Sequence, residues 1–322
     1  MSSPSKAAIQ TALDSLYPDA AVLDITPVET GKNSVYSVSY GDRNTILKVG
    51  TASGDRVMAE PQIIELIREH TAVPVPEVIG TSKNMLEFPC CLYERVPGRT
   101  FADRPVIESP DLLARICTEA GQHLAGLHNI DTFGRCGPIV LGDDGLTVAN
   151  VADDWPSGFQ RTLAAKVDQL GPQFKSYVET LNEHVNEATT KCRSTTPVTP
   201  VLAHMDYRLA NLVIDPDADC ITQAVLDWAG ATAAPAAYEL AHVEALLTDW
   251  PILVADQVTL WERFREAYAQ RREIPTIPDI YRVDAQLRLM KHLDMEIGHF
   301  DNAAAEGRVE DHLTSLEALG AL

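Results

Sequence analysis

Residues 201–215 read VLAHMDYRLANLVID, with four hydrophilic side chains set between two apolar runs. A loop that only joins two strands favours Gly, Pro and Ser; this one carries His204, Asp206, Arg208 and Asn211. Three of them form the pattern H-x-D-x-x-x-x-N. The next apolar strand ends on Asp227, in AVLDWAG, twenty-one residues after Asp206. Phosphoryl transfer needs such a set. One carboxylate orients the acceptor hydroxyl and takes its proton, while an amide and a second carboxylate hold magnesium against the nucleotide phosphates. A tight loop followed by a hairpin returns Asp227 beside Asn211. Asp206 is thus the candidate catalytic residue, Asn211 and Asp227 the candidate metal ligands, and His204 a brace for the loop. The same residues would also serve a polar turn in which Asp206 and Asn211 satisfy backbone donors.

The N-terminal third offers an independent test. A kinase sets a lysine on a strand against the α/β-phosphates and holds it with a glutamate from the next helix. SVYSVSY alternates, GDR turns, and NTILKVG follows as a second strand, a β-hairpin that carries Lys48. DRVMAEPQIIELIREH is helical, with Ile63, Ile64 and Ile67 on one face, and it carries Glu60. Pro61 belongs in a first helical turn, which places the start of the helix proper near Glu60. Upstream, ETGKNSVYSV holds one glycine, Gly31, with Lys32, Asn33 and Ser34. Backbone amides over Gly31, Asn33 and Ser34 would cap phosphates, or form only a polar hairpin turn.

VPVPEVIG is extended and PCCLYERV is a short strand ended by PGR. From Pro110 the character changes. DLLARICTEAGQHLAGLHNI is an amphipathic helix with Asp111 as its cap, and FQRTLAAKVDQLG and FKSYVETLNEHVNEATTK are two more. NLVID and ITQAVLD are short strands around the turn PDADC, and YELAHVEALL onward is helical. The organisation is α+β: a small β-rich lobe over residues 1–96, a hinge near 94–99, and a larger helical lobe over 97–322.

The chain has 322 residues and a net charge of −20, from 46 acidic and 26 basic side chains. Such a field excludes nucleic acid and anionic membrane as partners held by general electrostatics. It fits the Lys-poor, solubilising surface of a halophilic protein, with 8 Lys against 18 Arg, or an acidic cleft for a cationic substrate. No run has signal-peptide or transmembrane length, and six scattered cysteines form no C-x-x-C pair, so a cytoplasmic protein is expected.

Taken in order, GKNSVYSV, ILKV, AEPQIIELI, VPVPEV, LYERVPG, LAGLHNID, HMDYRLANLVID, VLDWAGA and AAYELAHVE resemble the aminoglycoside phosphotransferase family, which includes choline-kinase-like and other small-molecule kinases. The resemblance implies a bilobal protein-kinase-like fold with ATP and Mg2+ in the cleft. It makes Asp206 the catalytic aspartate, Asn211 and Asp227 the magnesium ligands, Lys48 the phosphate-binding lysine and Glu60 its partner. It implies that the hinge from Glu94 to Val96 meets adenine through its backbone. DWAGATAAP stands where protein kinases carry D-F-G, which points away from a protein substrate, and Glu239 stands where the family often has aspartate.

The expected activity is transfer of the γ-phosphate of ATP to a hydroxyl of a small molecule: an aminoglycoside, a sugar, an amino alcohol or a macrolide. DDWPSGFQ, with Asp153, Asp154 and Trp155, would hold a cation or stack a ring, or is only an acidic loop. Two alternatives compete. A non-catalytic nucleotide-binding protein would usually lack one of Lys48, Asp206, Asn211 and Asp227, and all four are present. A metal-dependent hydrolase on His204, Asp206 and Asp227 would want further His or Asp ligands.

Overall fold

The computed structural model describes residues 4–28, 34–50, 54–83, 88–100, 109–149, 154–192, 198–248, 257–297 and 302–322. Gly31, Asn33 and Asp153, singled out above, lie outside the described residues. The N-terminal region opens with α1 (Lys6–Leu16), followed by β1 (Val22–Val28), β2 (Ser34–Tyr40), β3 (Asn44–Val49), α2 (Gly54–His70), β4 (Val78–Ser82) and β5 (Cys90–Glu94). The strands form one antiparallel sheet in the order β1-β2-β3-β5-β4. Alternation in SVYSVSY puts Tyr36, Val38 and Tyr40 inward, where they pack with Leu47, Leu92 and the α1 residues Ile9 and Leu13. The register Ser34↔Val49 to Ser39↔Asn44 is the expected hairpin.

Helix α2 departs from expectation. It starts at Gly54, and Pro61 lies inside it. A proline there removes the amide bond to the carbonyl four residues back, that of Val57. The Cys91 thiol, on the neighbouring strand, donates to that carbonyl at 3.7 Å, so the orphaned acceptor keeps a partner. Burial pushes the Cys91 pKa up to about 12, which keeps its proton in place. Ile63, Ile64 and Ile67 are buried as predicted.

The rest of the chain is β6 (Arg99–Thr100), α3 (Pro110–Leu127), β7 (Gly137–Gly142), β8 (Gly145–Val148), α4 (Trp155–Asp168), α5 (Val178–Cys192), β9 (Pro200–Ala203), β10 (Leu212–Ile214), β11 (Thr222–Val225), β12 (Thr232–Pro235), α6 (Ala236–Val243), α7 (Gln257–Ala269), α8 (Asp279–Ile297) and α9 (Asn302–Ala318). Ser109, not Asp111, caps α3, accepting from the Leu112 amide with Pro110 in the first turn. Gly121 lets α3 meet α7, since a Cβ there would stand 2.2 Å from the Phe264 carbonyl oxygen. The β10–β11 pair is the expected hairpin around PDADC, but its third strand β6 and the four-stranded sheet β8-β7-β12-β9 were not legible in the sequence. Gly98, at φ 138°, takes the chain past Val213, against which a Cβ would sit at 2.6 Å. No helix among the described residues is long and apolar enough to cross a membrane.

Two histidines, the half-buried His123 and the buried His312, make stability depend on pH. His123 meets the Tyr207 hydroxyl at 2.9 Å through Nδ1. His312 meets Gln286 through Nδ1, and its buried Nε2 has no partner. Burial lowers each pKa to about 4; Glu119 opposes this at His123 and Arg271 adds to it, and Arg308 adds to it at His312. The unfolded chain binds a proton at each near pH 6.5, before the folded chain does. Their neutral burial therefore adds no proton-linked cost above pH 6.5 and destabilises the fold progressively as pH falls from 6.5 to 4. Melting temperature should drop by several degrees over that interval, and less in His123→Gln/His312→Gln relative to its own value at pH 7. An equal slope in the double variant would assign the acid sensitivity to other groups.

Candidate active site

The catalytic-loop candidate, residues 204–211, joins β9 to β10, and the β10–β11 hairpin returns the chain to Asp227. The pairing Leu212↔Val225 closes that hairpin, and the Leu226 amide donates to the Asn211 carbonyl at 2.8 Å. Sequence separation is thereby converted into proximity. The two non-glycine residues with positive φ among the described residues bracket the loop: Met205 at 65° and Asp227 at 62°. Left-handed backbone costs a residue with a Cβ about 1 kcal/mol or more, so it persists where the surroundings hold it. Here Glu239 accepts from the Met205 amide at 2.8 Å, and the Arg288 guanidinium donates to the Met205 carbonyl. Glu239 in turn accepts from His128 Nε2 at 2.8 Å, and Tyr268 closes the chain on His128 Nδ1 at 2.8 Å.

His204 is fully buried and braces the loop. Its Nε2 donates to the Leu226 carbonyl at 2.8 Å and its Nδ1 accepts from the Asp206 amide at 3.1 Å. Both ring nitrogens are spent, which removes the histidine that a hydrolase reading needs for a metal. No group of three or more His, Cys, Asp or Glu among the described residues is placed to hold a metal ion.

Asp206 lies half-buried in a ring of donors. Asn211 Nδ2 donates to its Oδ2 and to its backbone carbonyl, each at 2.9 Å. Arg288, from α8, reaches Oδ1 at 2.5 Å, and Arg208 Nε stands 3.3 Å from the carboxylate. Asn211 spends its amide protons on Asp206, so its carbonyl oxygen is the atom left for a cation.

Across the cleft, Lys48 is 8% exposed and bridges two carboxylates. Its Nζ is 2.8 Å from Glu60 Oε2 and 2.7 Å from Asp227 Oδ1. Burial opposes the ammonium charge, but Glu60 and Asp227 outweigh it and hold the pKa above the usual lysine value. The same lysine more than offsets burial at Asp227 and lowers that carboxyl's pKa. Glu60 is almost fully buried and also accepts from the Trp228 amide at 2.9 Å and the Tyr93 hydroxyl at 3.2 Å. One glutamate thus ties β3, α2, β5 and the turn after Asp227 together. Asp227 remains 51% exposed, with one oxygen on Lys48 and the other open. A single carboxylate oxygen and an amide oxygen fit magnesium, which keeps water and phosphate oxygens as its other ligands, better than a metal that needs a closed protein cage.

The remaining predicted residues are placed as follows. Ser34 begins β2, paired with Val49, one residue from Lys48. The Glu94 amide donates to the Glu77 carbonyl at 2.9 Å and the Arg95 amide to the Asn44 carbonyl at 3.1 Å. The sheet consumes both, and Val96 is the hinge position whose amide has no backbone partner among the described residues. Sequence reading missed Arg288 altogether: 82 residues beyond Asp206, in a helix with no motif, it left no local signal.

A model of the phosphotransferase enzyme family matches residues 24–283. The hygromycin-B 4-O-kinase of Escherichia coli is 24% identical over 302 residues, covering 90% of this chain and 80% of that protein. The probable acyl-CoA dehydrogenase IBR3 of Arabidopsis thaliana is 26% identical over 186 residues, 55% of this chain, and the match spans only 21% of that protein's length. Among solved structures, a thermostable mutant of aminoglycoside phosphotransferase APH(4)-Ia in apo form aligns with a TM-score of 0.66 at 18% identity, over 95% of this chain and 98% of that one. A thermostable mutant of that enzyme in ternary complex with ADP and hygromycin B aligns at 0.64 and 17% identity, over 96% and 98%. These likenesses show the fold: α+β, of the protein-kinase-like kind, with a β-rich N-terminal region and a helical C-terminal part.

Proposed function

Since the chain belongs to the phosphotransferase enzyme family, we propose that it moves the γ-phosphate of ATP, as its magnesium complex, to a hydroxyl of a small molecule. The observation that carries this reading is the Lys48 ammonium held between Glu60 and Asp227 at 2.8 and 2.7 Å, opposite the Asp206–Asn211 pair. In this reading residues 1–96 bind the nucleotide and 97–322 supply the catalytic loop and the acceptor wall. Lys48 meets the α/β-phosphates, kept in place by Glu60, and Ser34, with Gly31 and Asn33, caps the phosphates. The Glu94–Val96 hinge meets adenine, and the Val96 amide is its available donor. Asn211 and Asp227 hold magnesium, which draws charge off the phosphate oxygens when bound.

Asp206 accepts a hydrogen bond from the acceptor hydroxyl and orients it. As the acceptor oxygen bonds to the γ-phosphorus and the bond to ADP breaks, the hydroxyl proton passes to the Asp206 carboxylate. A relative named for hygromycin-B phosphorylation and a structural neighbour crystallised with hygromycin B put that polyhydroxylated compound among the acceptors to be tested. The test is a melting curve with and without millimolar Mg-ATP, followed by ADP release against a panel of hydroxylated compounds. A ligand at about 100 times its Kd stabilises by about 2.7 kcal/mol, so a clear upward shift is expected. No shift would refute nucleotide binding. A shift without turnover on any acceptor would leave the non-catalytic alternative standing.

A further inference from the structure

We propose that the acceptor is an anion, a hydroxyl compound carrying a carboxylate or phosphate, and that Arg288 is the residue that selects it. The inference rests on the reading of Asp206 as the group that takes the acceptor's proton. In a chain of net charge −20, two guanidinium groups converge on that single carboxylate. Arg288 comes from α8 and Arg208 from the loop, with side chains 24% and 38% exposed. Arg288 gives one donor to Asp206 and one to the Met205 carbonyl; Arg208 gives only Nε. A guanidinium carries five N–H donors in a planar fork. Among the described residues, three of Arg288's and four of Arg208's have no partner, and both side chains reach solvent.

The carboxylates around this floor are already engaged. Glu239 accepts from His128 and the Met205 amide, each at 2.8 Å. Asp284, one turn before Arg288 on α8, is fully buried and takes Lys166 at 2.6 Å, Tyr238 at 2.6 Å and His242 at 3.0 Å. Neither of these two is left to receive an ammonium group, so a polycation brought to Asp206 would meet two arginines beside carboxylates already paired, an arrangement that disfavours it. A carboxylate or phosphate would meet the donor geometry it pairs with best, bidentate and charge-assisted. Arg208, two residues from Asp206, is also close enough to serve the transferred phosphate. Arg288 stands on the C-terminal side, away from Lys48 and Glu60, so selectivity for the acceptor is assigned to it. Tyr281, seven residues before it on the same helix face, is buried and accepts from Trp155 Nε1 at 2.9 Å, which fixes the half-buried Trp155 against α8.

The experiment compares ω-hydroxycarboxylates of about two to six carbons, their neutral amides, glycerol phosphates and hygromycin B. Each is scored by ADP release with Mg-ATP and by melting shift in the presence of Mg-AMP-PNP, so binding is read even without transfer. At least one anion should bind or react about tenfold or more better than its neutral counterpart, the usual worth of a charge-assisted bond. Arg288→Gln should erase that preference while the Mg-AMP-PNP shift and the KM for ATP stay within a few-fold, and Arg288→Lys should restore part of it. The carboxylate and phosphate arms separate the two anionic classes. A preference for hygromycin B or the amides, an unchanged preference in Arg288→Gln, or no response to any anion would overturn the proposal. Loss of the Mg-AMP-PNP shift in the unaltered protein would instead overturn the kinase reading beneath it.

Discussion

Asp206→Asn should lower kcat by about 10²-fold or more while leaving Mg-ATP affinity within a few-fold. The substitution keeps the size of the side chain and removes the acceptor of the hydroxyl proton. Asn211 Oδ1 and the free oxygen of Asp227 are untouched, so the nucleotide side has no reason to weaken. The surroundings make the change a demanding one. Arg288, Arg208 and Asn211 all donate to the Asp206 carboxylate, and an amide offers them one acceptor oxygen instead of two. Its NH2 must then face a donor or turn to solvent. The pairs are partly exposed, so the stability cost is small beside the catalytic one. Single-turnover transfer separates the effects, with the Mg-AMP-PNP melting shift measured in parallel. A variant that transfers phosphate at near the parent rate would leave Asp206 a bracing residue and require a different base.

Legibility in the sequence followed range. The β2–β3 hairpin was readable because alternation and a three-residue turn sit in one window, and the register came out in full. The Asp206–Asn211–Asp227 set was readable because a five-residue step and a hairpin bring the three together with little intervening chain. The pairing of Lys48 with Glu60 spans a strand, a loop and a helix, and only the requirements of phosphoryl transfer suggested it. Three things escaped. Pro61 marked a helix start by every local rule, but the Cys91 thiol on a neighbouring strand meets the freed Val57 carbonyl and the helix runs through it. The β7–β8 hairpin and β12 lie among helices as short runs without strong alternation. Arg288 belongs to a helix whose pattern reports only burial, and its partner is fixed by how α8 packs against α6 and α4. The same holds for the second contact of Lys48, on Asp227, which adds to the expected glutamate a partner 179 residues away.

Glu60→Ala should destabilise the fold by about 3 kcal/mol or more and weaken Mg-nucleotide binding at least tenfold. The stability term follows from what the alanine leaves behind. Lys48 is 8% exposed and would keep its charge with one carboxylate in place of two. The buried Trp228 amide and the Tyr93 hydroxyl would each lose their acceptor, and an unsatisfied buried polar group costs about 1–3 kcal/mol. The binding term follows from geometry. With Glu60 gone, the ammonium has only Asp227, 2.7 Å away, and holds it more tightly. A carboxylate neutralised by a lysine is a poorer partner for a cation, and a lysine drawn to the floor of the cleft is a poorer partner for the α/β-phosphates. Glu60→Gln distinguishes the two terms. It can keep the Trp228 bond through its carbonyl oxygen, while its amide protons face Lys48 on the other side. It should therefore recover part of the stability and little of the nucleotide affinity. Melting curves with and without Mg-AMP-PNP read both quantities on one sample. Equal recovery of the two in Glu60→Gln would mean that the charge on Glu60 is immaterial, and that its contribution is the hydrogen bond to the Trp228 turn alone.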